Sequence, residues 1–329
     1  MLVAKSYSDA FKSVKVMYVI LLVSLPDTVY TELTHYNSVI KINKKQFDSV
    51  VEMDMLSVYT VGRVVHTLPE GAAVSGVTSL GDNIYLLRAR IGVEVYDVIT
   101  YRFLRSLAVP NVRGFTDMTI CLHYCCMYIA DHIAECVHRV DLQGAATHWP
   151  VNDIPESLSV NAAHNVLVTC CLVGKLKQFS SHGQLVRQVT LPGDLTNPWH
   201  SIQLTSGQYV VCHGEVNDAM HRVCVVSADG RHTVHTHGGQ PGTDIGQYDG
   251  PAHLAVDNNE SVFVADLNNQ RVTLLSPTLN YIRQVVSRDK LKWKPGHLHL
   301  DVQRRRLYVT DNEFKDGKLT SGRVVVFSV

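Results

Sequence analysis

The sequence lacks an apolar run long enough to cross a bilayer. The run Val16–Leu25 spans ten residues, whereas a membrane-spanning helix needs about 20. The net charge is zero, with 30 basic and 30 acidic side chains, which excludes a chain built wholly around nucleic acid but leaves room for a local basic patch. The signatures GxSxG and HExxH and the phosphate-binding loop are missing, so the sequence supports no nucleophile-elbow, zincin or nucleotide site.

Residues 1–57 are predicted to form an N-terminal extension or linker that is partly helical over residues 28–55. Lysines at positions 5, 12 and 15 precede Val16–Leu25, as in a signal peptide. However, no small-x-small cleavage site follows, and Asp9 interrupts the basic region. We favour a short buried strand or helix and expect a cytoplasmic protein. A secreted protein is the alternative if Val16–Leu25 is a signal-peptide core.

Cysteine occurs eight times and never as a CxxC pair. Most of these residues fall in predicted strands, where a buried free thiol behaves as a small apolar residue, so we expect reduced thiols. One stretch is metal-like in composition, with Cys121, His123, Cys125, His132, Cys136 and His138. Zinc sites need convergent and usually closely paired ligands, whereas these residues are spread along successive strands. No metal is therefore predicted there.

The stretch Gly238–Arg271 is the most informative part of the chain. It holds a glycine-rich loop, two short strands and a polar corner, and the first strand begins with the apolar-x-apolar triplet Leu254-Ala255-Val256. Looser copies recur at intervals of 40 to 52 residues, with triplets that begin at Val77, Met118, Leu158, Ile202, Leu254 and Leu298. A repeat of this length that encodes only strands is typical of a radial array of sheets.

Two more apolar strands follow each triplet, and a fourth is recognisable in three copies, at 102–107, 184–191 and 281–286. The last copy ends after its third strand, Val324–Phe327. The segment Val61–Pro69 resembles a fourth strand, but it precedes the first full copy. We therefore predict an all-β, six-bladed β-propeller over residues 58–329. Its N-terminal strand should pair with the last blade, which removes two open sheet edges.

The unit Gly238–Leu275 resembles an NHL repeat. Its Gly-rich loop, Pro251, apolar-x-apolar-Asp element, Val-Ala-Asp strand end and Asn-x-Arg corner occur in the NHL order. The resemblance is fair in Pro295–Phe327 and is limited to strand positions elsewhere. It implies a six-bladed propeller of the NHL or TolB type, similar to the C-terminal domains of tripartite-motif ubiquitin ligases, which bind RNA or protein. It also extends to a peptide-amidating propeller lyase, whose zinc lies on channel histidines.

The repeat motif places polar residues at the ends of strands: Asp131, Asp266, Asn269, Arg271 and Asp311. A short polar side chain at such a corner satisfies backbone groups. An arginine there can pair with a carboxylate of the same blade or the next. We therefore interpret these residues as structural and predict no catalytic residue among them.

Three histidines lie next to the innermost strands, which line the channel of a propeller. His253 and His297 precede their triplets by one residue, whereas His200, in Pro198-Trp199-His200, precedes its triplet by two. Alternate residues of a strand point to opposite faces, so this offset predicts that the imidazoles do not converge. We place Trp199 and the three histidines at the channel mouth as binding residues and predict no metal.

A basic segment between Tyr281 and Arg306 contains Trp293. Lys290, Lys292 and Lys294 lie beside this tryptophan, an arrangement that can hold a phosphate backbone and stack a base. The arginines at positions 304–306 fall in a turn on the opposite rim and cannot extend the same patch.

These observations favour a non-catalytic recognition platform. A protein is the preferred partner and RNA the alternative, in a role such as substrate recognition within a ubiquitin-ligase system. The runner-up is a lyase or hydrolase with a metal in the central channel, similar to the peptide-amidating lyase. No cofactor, membrane association or small-molecule ligand is expected.

Overall fold

The computed structural model describes the backbone of residues 19–25, 28–35 and 38–42, and backbone and side chains of residues 61–89, 91–215 and 218–329. The chain divides into two compact units, Met1–Thr60 and Val61–Val329. The predicted boundary between residues 57 and 58 lies outside the described residues and stays a prediction. Within the described ranges, no helix is long and apolar enough to cross a membrane.

The described part of the first unit is an antiparallel sheet of β1 (Val19–Leu25), β2 (Thr28–His35) and β3 (Ser38–Ile42). The partly helical structure predicted from residue 28 therefore does not hold for β2 and β3. The composition of β2 explains the difference, because β-branched and aromatic residues such as Val29, Tyr30 and Thr31 favour a strand. The rest of the predicted helical region, 43–55, lies outside the described residues.

The second unit is a six-bladed β-propeller of antiparallel sheets. It begins with β4 (Arg63–Thr67) and β5 (Gly71–Ala72). From the innermost strand outward, blade 1 contains β6 (Val74–Leu80), β7 (Asn83–Arg88), β8 (Gly92–Asp97) and β9 (Phe103–Leu107); blade 2 contains β10 (Phe115–Cys121), β11 (Cys126–Asp131), β12 (Cys136–Asp141) and β13 (Ala146–Pro150); blade 3 contains β14 (Ser157–Val160), β15 (Val166–Cys170), β16 (Lys175–Phe179) and β17 (Leu185–Thr190).

The remaining blades follow the same order. Blade 4 contains β18 (Pro198–Gln203), β19 (Tyr209–His213), β20 (His221–Val226) and β21 (Thr233–Gly239); blade 5 contains β22 (Pro251–Val256), β23 (Val262–Asp266), β24 (Arg271–Leu275) and β25 (Tyr281–Val286); blade 6 contains β26 (Lys294–Asp301), β27 (Arg306–Lys315) and β28 (Lys318–Ser328), with β4 as its outermost strand. Short 3-10 helices lie at Cys171–Val173 and Arg288–Lys290.

The predicted ring closure is confirmed. In blade 6, β28 pairs with β4 in a register that sets Val325 opposite Thr67 and Phe327 opposite Val64. The backbone N–H of Leu68 donates to the carbonyl of Val324 at 2.8 Å. The Leu68 side chain is fully buried in a cluster that joins the last blade to the first. The N-terminal strand thus contributes both hydrogen bonds and core packing to the closure.

Every blade has a fourth strand, including two that the sequence pattern missed, β13 and β21. Both lie at the outer edge of a blade, where nearly all side chains are exposed or half-buried. An exposed strand need not alternate between apolar and polar residues, so its sequence carries little strand signal.

The core lies between neighbouring blades. The second strands β11, β15, β19 and β23 are buried along their whole length, because other sheets cover both of their faces. Between blades 2 and 3, Cys121, Cys126 and Cys170 pack with Tyr128 and Trp149 as small apolar residues. All eight cysteines lie within the described residues as free thiols.

We predict that Leu68→Ala lowers the free energy of unfolding by about 2–5 kcal/mol, because it leaves a cavity in the closing blade. The control is Arg63→Ala, which removes an exposed side chain from β4 and should change stability by less than about 0.5 kcal/mol. Chemical denaturation followed by circular dichroism measures both. Equal effects of the two substitutions would contradict a stabilising role for this closure.

Candidate functional site

One residue of each blade occupies the same place near the start of the innermost strand. In five blades it follows a β-bulge or lies within one. The equivalence follows from the partners on the second strand: Leu87, Ala130, Thr169, Cys212 and Ala265 in blades 1 to 5. We call this set the channel ring, and it consists of Gly76, Asp117, Ser157, His200, His253 and His297.

His200 is not offset from the other two histidines. It pairs with Cys212, as His253 pairs with Ala265, and both residues come two positions after a proline that precedes the bulge. The sequence placed the fourth triplet one residue too late, because Ser201 occupies its first position. The Ser201 hydroxyl is buried and lies 2.6 Å from Thr169 Oγ1. This hydrogen bond satisfies a polar group at a position where most other blades have an apolar side chain.

The three imidazoles converge, so the prediction that they do not is wrong. The ring centroids of His200 and His253 are 3.7 Å apart, and those of His253 and His297 are 3.9 Å apart. Asp117 lies beside them, with Oδ1 at 2.8 Å from His297 Nε2 and 3.9 Å from His253 Nε2. Asp117, His200 and His253 each offer one ligand atom within a group whose members lie within 4.8 Å of one another.

Hydrogen bonds from the channel ring link all six blades. The carboxylate of Asp117 accepts the backbone N–H of Leu158, and His253 Nδ1 accepts that of Leu298. His200 Nε2 lies 3.3 Å from the carbonyl oxygen of Leu158, which joins blade 4 to blade 3. His297 contacts the N–H of Val77 in blade 1 and the carbonyl of Met118 in blade 2. The channel ring is therefore a hydrogen-bonded cluster at the centre of the propeller, and we call this cluster the hub.

Burial keeps two histidines of the hub, His200 and His253, neutral. It lowers the pKa of His200 to about 4, and the pKa of His253 falls well below its usual value because burial acts together with the neighbouring His200 and His297. His299, two residues beyond His297, likewise has its pKa lowered to about 4 by burial. Neutral imidazoles can stack closely without charge repulsion, and they retain a lone pair for a hydrogen bond or a metal.

The channel ring also has polar atoms without partners. Among the described residues, His200 Nδ1, His253 Nε2 and Ser157 Oγ are buried and make no hydrogen bond. Next to Ser157, burial raises the pKa of Glu156 to about 7, and the carboxylates of Asp117 and Glu215 add to the effect. These groups could bind a small polar ligand or a metal ion.

Sequence reasoning missed Asp117, although a signal was present. Asp117 precedes the triplet residue Met118 by one, as His253 and His297 precede theirs. A comparison of all six residues at this position would have placed an aspartate beside the histidines.

The other predicted binding residues lie away from the hub. Trp199 is half-buried against the core between blades 4 and 5. Lys292 and Trp293 lie in the linker from blade 5 to blade 6, with the Lys292 ammonium 4.1 Å from the tryptophan ring. Each of the three lysines has an acidic or amide partner: Lys290 with Asp289, Lys292 with Glu70, and Lys294 with Asn268.

The aspartates of the repeat motif accept hydrogen bonds from the linkers that precede the innermost strands. Asp131 accepts the backbone N–H groups of residues 113 and 114, Asp266 that of residue 249, and Asp311 those of residues 292 and 293. In blade 5, Asn269 Nδ2 and Arg271 Nε also donate to Asp266, at 2.8 and 2.7 Å. These contacts hold the corners of blades 2, 5 and 6 together.

A second group with possible metal ligands lies in blade 2. Asp131, Cys136 and His138 are buried and offer ligand atoms within 4.8 Å of one another. Cys136 and His138 also line an open cavity of about 690 Å³, together with Arg113, Glu135 and His148. The other members of the metal-like stretch, Cys121, His123, Cys125 and His132, do not belong to this group.

Comparison with known proteins places the chain by fold. No family model matches the sequence, and none of the curated proteins does. A streptogramin B lyase superposes with a TM-score of 0.55 at 10% identity over 78% of this chain and 87% of that chain. The virginiamycin B lyase of Staphylococcus aureus gives 0.54 at 8% identity over 79% and 99%.

A similar match comes from a protein of a different kind. The Cps50 (Swd1) β-propeller domain of Myceliophteria thermophila superposes with a TM-score of 0.55 at 14% identity over 82% of this chain and 99% of that chain. Identities this low show the fold alone. The chain is therefore a β-propeller, whose own sheets form six blades, and its fold is similar to those of two lyases and a Swd1 β-propeller domain.

We predict that acid destabilises the protein through His200 and His253. The pKa values of these two residues are lowered on folding, so the unfolded chain binds more protons between about pH 6.5 and pH 4. Stability is thus fully present above about pH 6.5 and falls toward pH 4, with His200 contributing about 3 kcal/mol. Urea unfolding at several pH values measures this slope.

The slope should become shallower in His200→Asn, although this variant will also be less stable at pH 7. The control is His235→Asn, which replaces an exposed histidine of β21. A slope unchanged in His200→Asn would show that this histidine does not titrate with unfolding.

Proposed function

We propose that the protein is a non-catalytic recognition platform that binds another protein through one rim of the propeller. Strand direction alternates within each blade, so the turns between second and third strands all lie on this rim, together with the linkers between blades. The supporting observation is a set of exposed apolar side chains on these turns and linkers. We call this surface the recognition rim.

Large apolar residues are exposed around most of the recognition rim. They come from the turns of blades 1, 2, 3, 4 and 6 and from the linker into blade 5: Ile91, Ile133, Leu172, Val173, Met220, Ile245, Phe314 and Leu319. The turns of the opposite rim expose fewer such residues, namely Ile99, Leu122 and Tyr124. Exposed apolar surface framed by polar groups is typical of protein-binding sites.

The hairpin of β27 and β28 extends the recognition rim at blade 6. These strands continue beyond Asp311 to a turn at residues 316–317, whereas the second strands of other blades end at the position of Asp311. Phe314 and Leu319 are paired across the hairpin, and both are exposed. A projecting apolar pair of this kind suits insertion into a groove of a partner.

RNA binding has weaker support. Lys292 stacked on Trp293 is suited to a phosphate and a base, yet Lys290, Lys292 and Lys294 are each bonded to an acidic or amide group. An RNA would have to displace these partners, which reduces the gain from each phosphate contact. We therefore favour a protein partner.

A metal-dependent lyase or hydrolase is the second candidate. It rests on the convergence of Asp117, His200 and His253 and on their unpartnered nitrogens. The hub also has a structural explanation, because its hydrogen bonds connect every blade. We therefore rank the enzymatic function second.

We further propose that the chain is a distant relative of NHL-repeat propellers. The contacts of Asp266 with Asn269 and Arg271 give a structural role to the motif on which the resemblance rests. A cytoplasmic role in substrate recognition for a ubiquitin-ligase system is consistent with this relationship and with eight free thiols.

We predict that a photo-crosslinking amino acid at Leu172 or Phe314 captures one protein partner in cells. The matched controls are Leu185, exposed on the outer strand β17, and Leu122, exposed on the opposite rim. With the identified partner purified, Leu172→Asp and Phe314→Asp should each weaken binding about tenfold or more, since burying a new charge costs at least about 1.4 kcal/mol.

Leu122→Asp should leave the affinity unchanged. Crosslinking centred on Leu122 would contradict the choice of rim. Recovery of RNA that depends on Lys292 and Trp293 would instead favour the nucleic-acid alternative.

A further inference from the structure

The corner of blade 2 differs from those of blades 5 and 6 in one residue. In blade 5, Asp266 is opposite Arg271, the first residue of the third strand. In blade 6, Asp311 is opposite Arg323, which lies within the third strand. Both arginines donate through Nε to the carboxylate, at 2.7 and 2.8 Å. In blade 2 the same place opposite Asp131 belongs to Cys136, which brings no positive charge.

Asp131 is therefore a fully buried carboxylate without the arginine that neutralises its counterparts. Its exposed fraction is 0%, and its oxygens accept backbone N–H groups, including those of Arg113 and Gly114. The side chain that approaches it instead is His138, with Nε2 at 3.4 Å from Oδ2. An imidazole therefore lies next to the Asp131 carboxylate, whereas a guanidinium lies next to the carboxylates of Asp266 and Asp311.

We propose that Asp131, Cys136 and His138 bind a divalent transition-metal ion, with zinc favoured by the ligand types. Thiolate, imidazole and carboxylate are the groups that hold zinc in proteins. The ion would supply the positive charge that arginine supplies in blades 5 and 6. This proposal is independent of the recognition rim and of the hub in the channel.

The spacing of the three side chains fits a tetrahedral site. Cys136 Sγ lies 3.3 Å from His138 Nε2, which lies 3.4 Å from Asp131 Oδ2. Bonds of about 2.3 Å to sulfur and about 2.0–2.1 Å to nitrogen and oxygen separate tetrahedral ligands by about 3.3–3.6 Å. The ligand atoms of the third pair, Cys136 and Asp131, lie within 4.8 Å of each other. In the hub, His253 Nε2 lies 3.9 Å from Asp117 Oδ1, which is farther than the distances of 3.3 and 3.4 Å at this site.

The site also has an entrance and room for a fourth ligand. Cys136 and His138 line the open cavity of blade 2, and His148 lies on the next strand directly opposite His138. The centroids of these two imidazole rings are 5.5 Å apart. The fourth position would be filled from the cavity by His148 or by water. Binding would release the Cys136 thiol proton to solvent and leave the His138 proton on Nδ1.

The arrangement was hidden in the sequence because the ligands do not form a CxxC or HxxxH pair. Asp131 and Cys136 meet only because they end and begin neighbouring strands of a tight hairpin, and His138 follows Cys136 on the same face of β12. The composition of the stretch around these residues was metal-like, but the correct subset depends on the register.

Cobalt(II) titration of the purified full-length chain provides the test. A tetrahedral site with one thiolate should give visible ligand-field bands and a thiolate-to-cobalt charge-transfer band, with one ion bound per chain and displacement by zinc. Cys136→Ser and His138→Gln should abolish the charge-transfer band or weaken binding by more than the roughly 10- to 100-fold that loss of an outer-shell partner costs. Cys125→Ser, which changes an exposed thiol of the same blade, should keep the wild-type spectrum.

Cys136→Arg is the most informative variant, because it restores the ion pair of blades 5 and 6. It should remain folded, match or exceed the thermal stability of the metal-free protein, and bind no cobalt. Absence of a charge-transfer band in the wild-type protein would overturn the proposal. So would a band that survives Cys136→Ser, or cobalt binding that is lost in His253→Asn, which would place the ion in the channel.

Discussion

The structure depends on closing a ring of six sheets. Each blade buries both faces against its neighbours, so an unclosed array would leave two apolar faces and two strand edges exposed. The chain solves this by giving blade 6 strands from both ends of the propeller, with β4 added to β28. Leu68 then fills the core between the last blade and the first. Closure fixes the six innermost strands around one axis, which brings the channel ring together.

The hub follows from the equivalence of the six blades and from one position of the channel ring, Gly76, that carries no side chain. Equivalent positions of six blades meet at the channel, and three of them hold histidine while one holds aspartate. Gly76 makes room for this arrangement, because a Cβ at that position would lie 2.5 Å from the Met118 side chain. His297 can thus hydrogen-bond with the carbonyl of Met118, two blades further along the ring. The turns of the rim, where we propose that a partner binds, can vary in length without disturbing the blades.

Much of the fold could be predicted from the sequence, because buried strands leave a clear apolar pattern. The triplets gave the number of blades, and the solitary strand at Val61–Pro69 gave the closure. The pattern failed where burial does not select apolar residues. It missed the exposed strand β21, and it misplaced the fourth triplet because Ser201 is buried but hydrogen-bonded. That single offset reversed the prediction for His200, since register decides which side chains meet. The proposed zinc ligands and the apolar residues of the rim likewise come together only in the folded chain.

We propose that the channel histidines stabilise the ring, that the recognition rim binds a partner protein, and that the corner of blade 2 binds a metal ion. Anomalous diffraction from zinc-soaked crystals, recorded on both sides of the zinc absorption edge, tests this division most directly. We predict one difference peak between Asp131, Cys136 and His138 and none at the channel ring. A peak between Asp117, His200 and His253 would contradict the account and favour an enzyme whose metal lies in the channel.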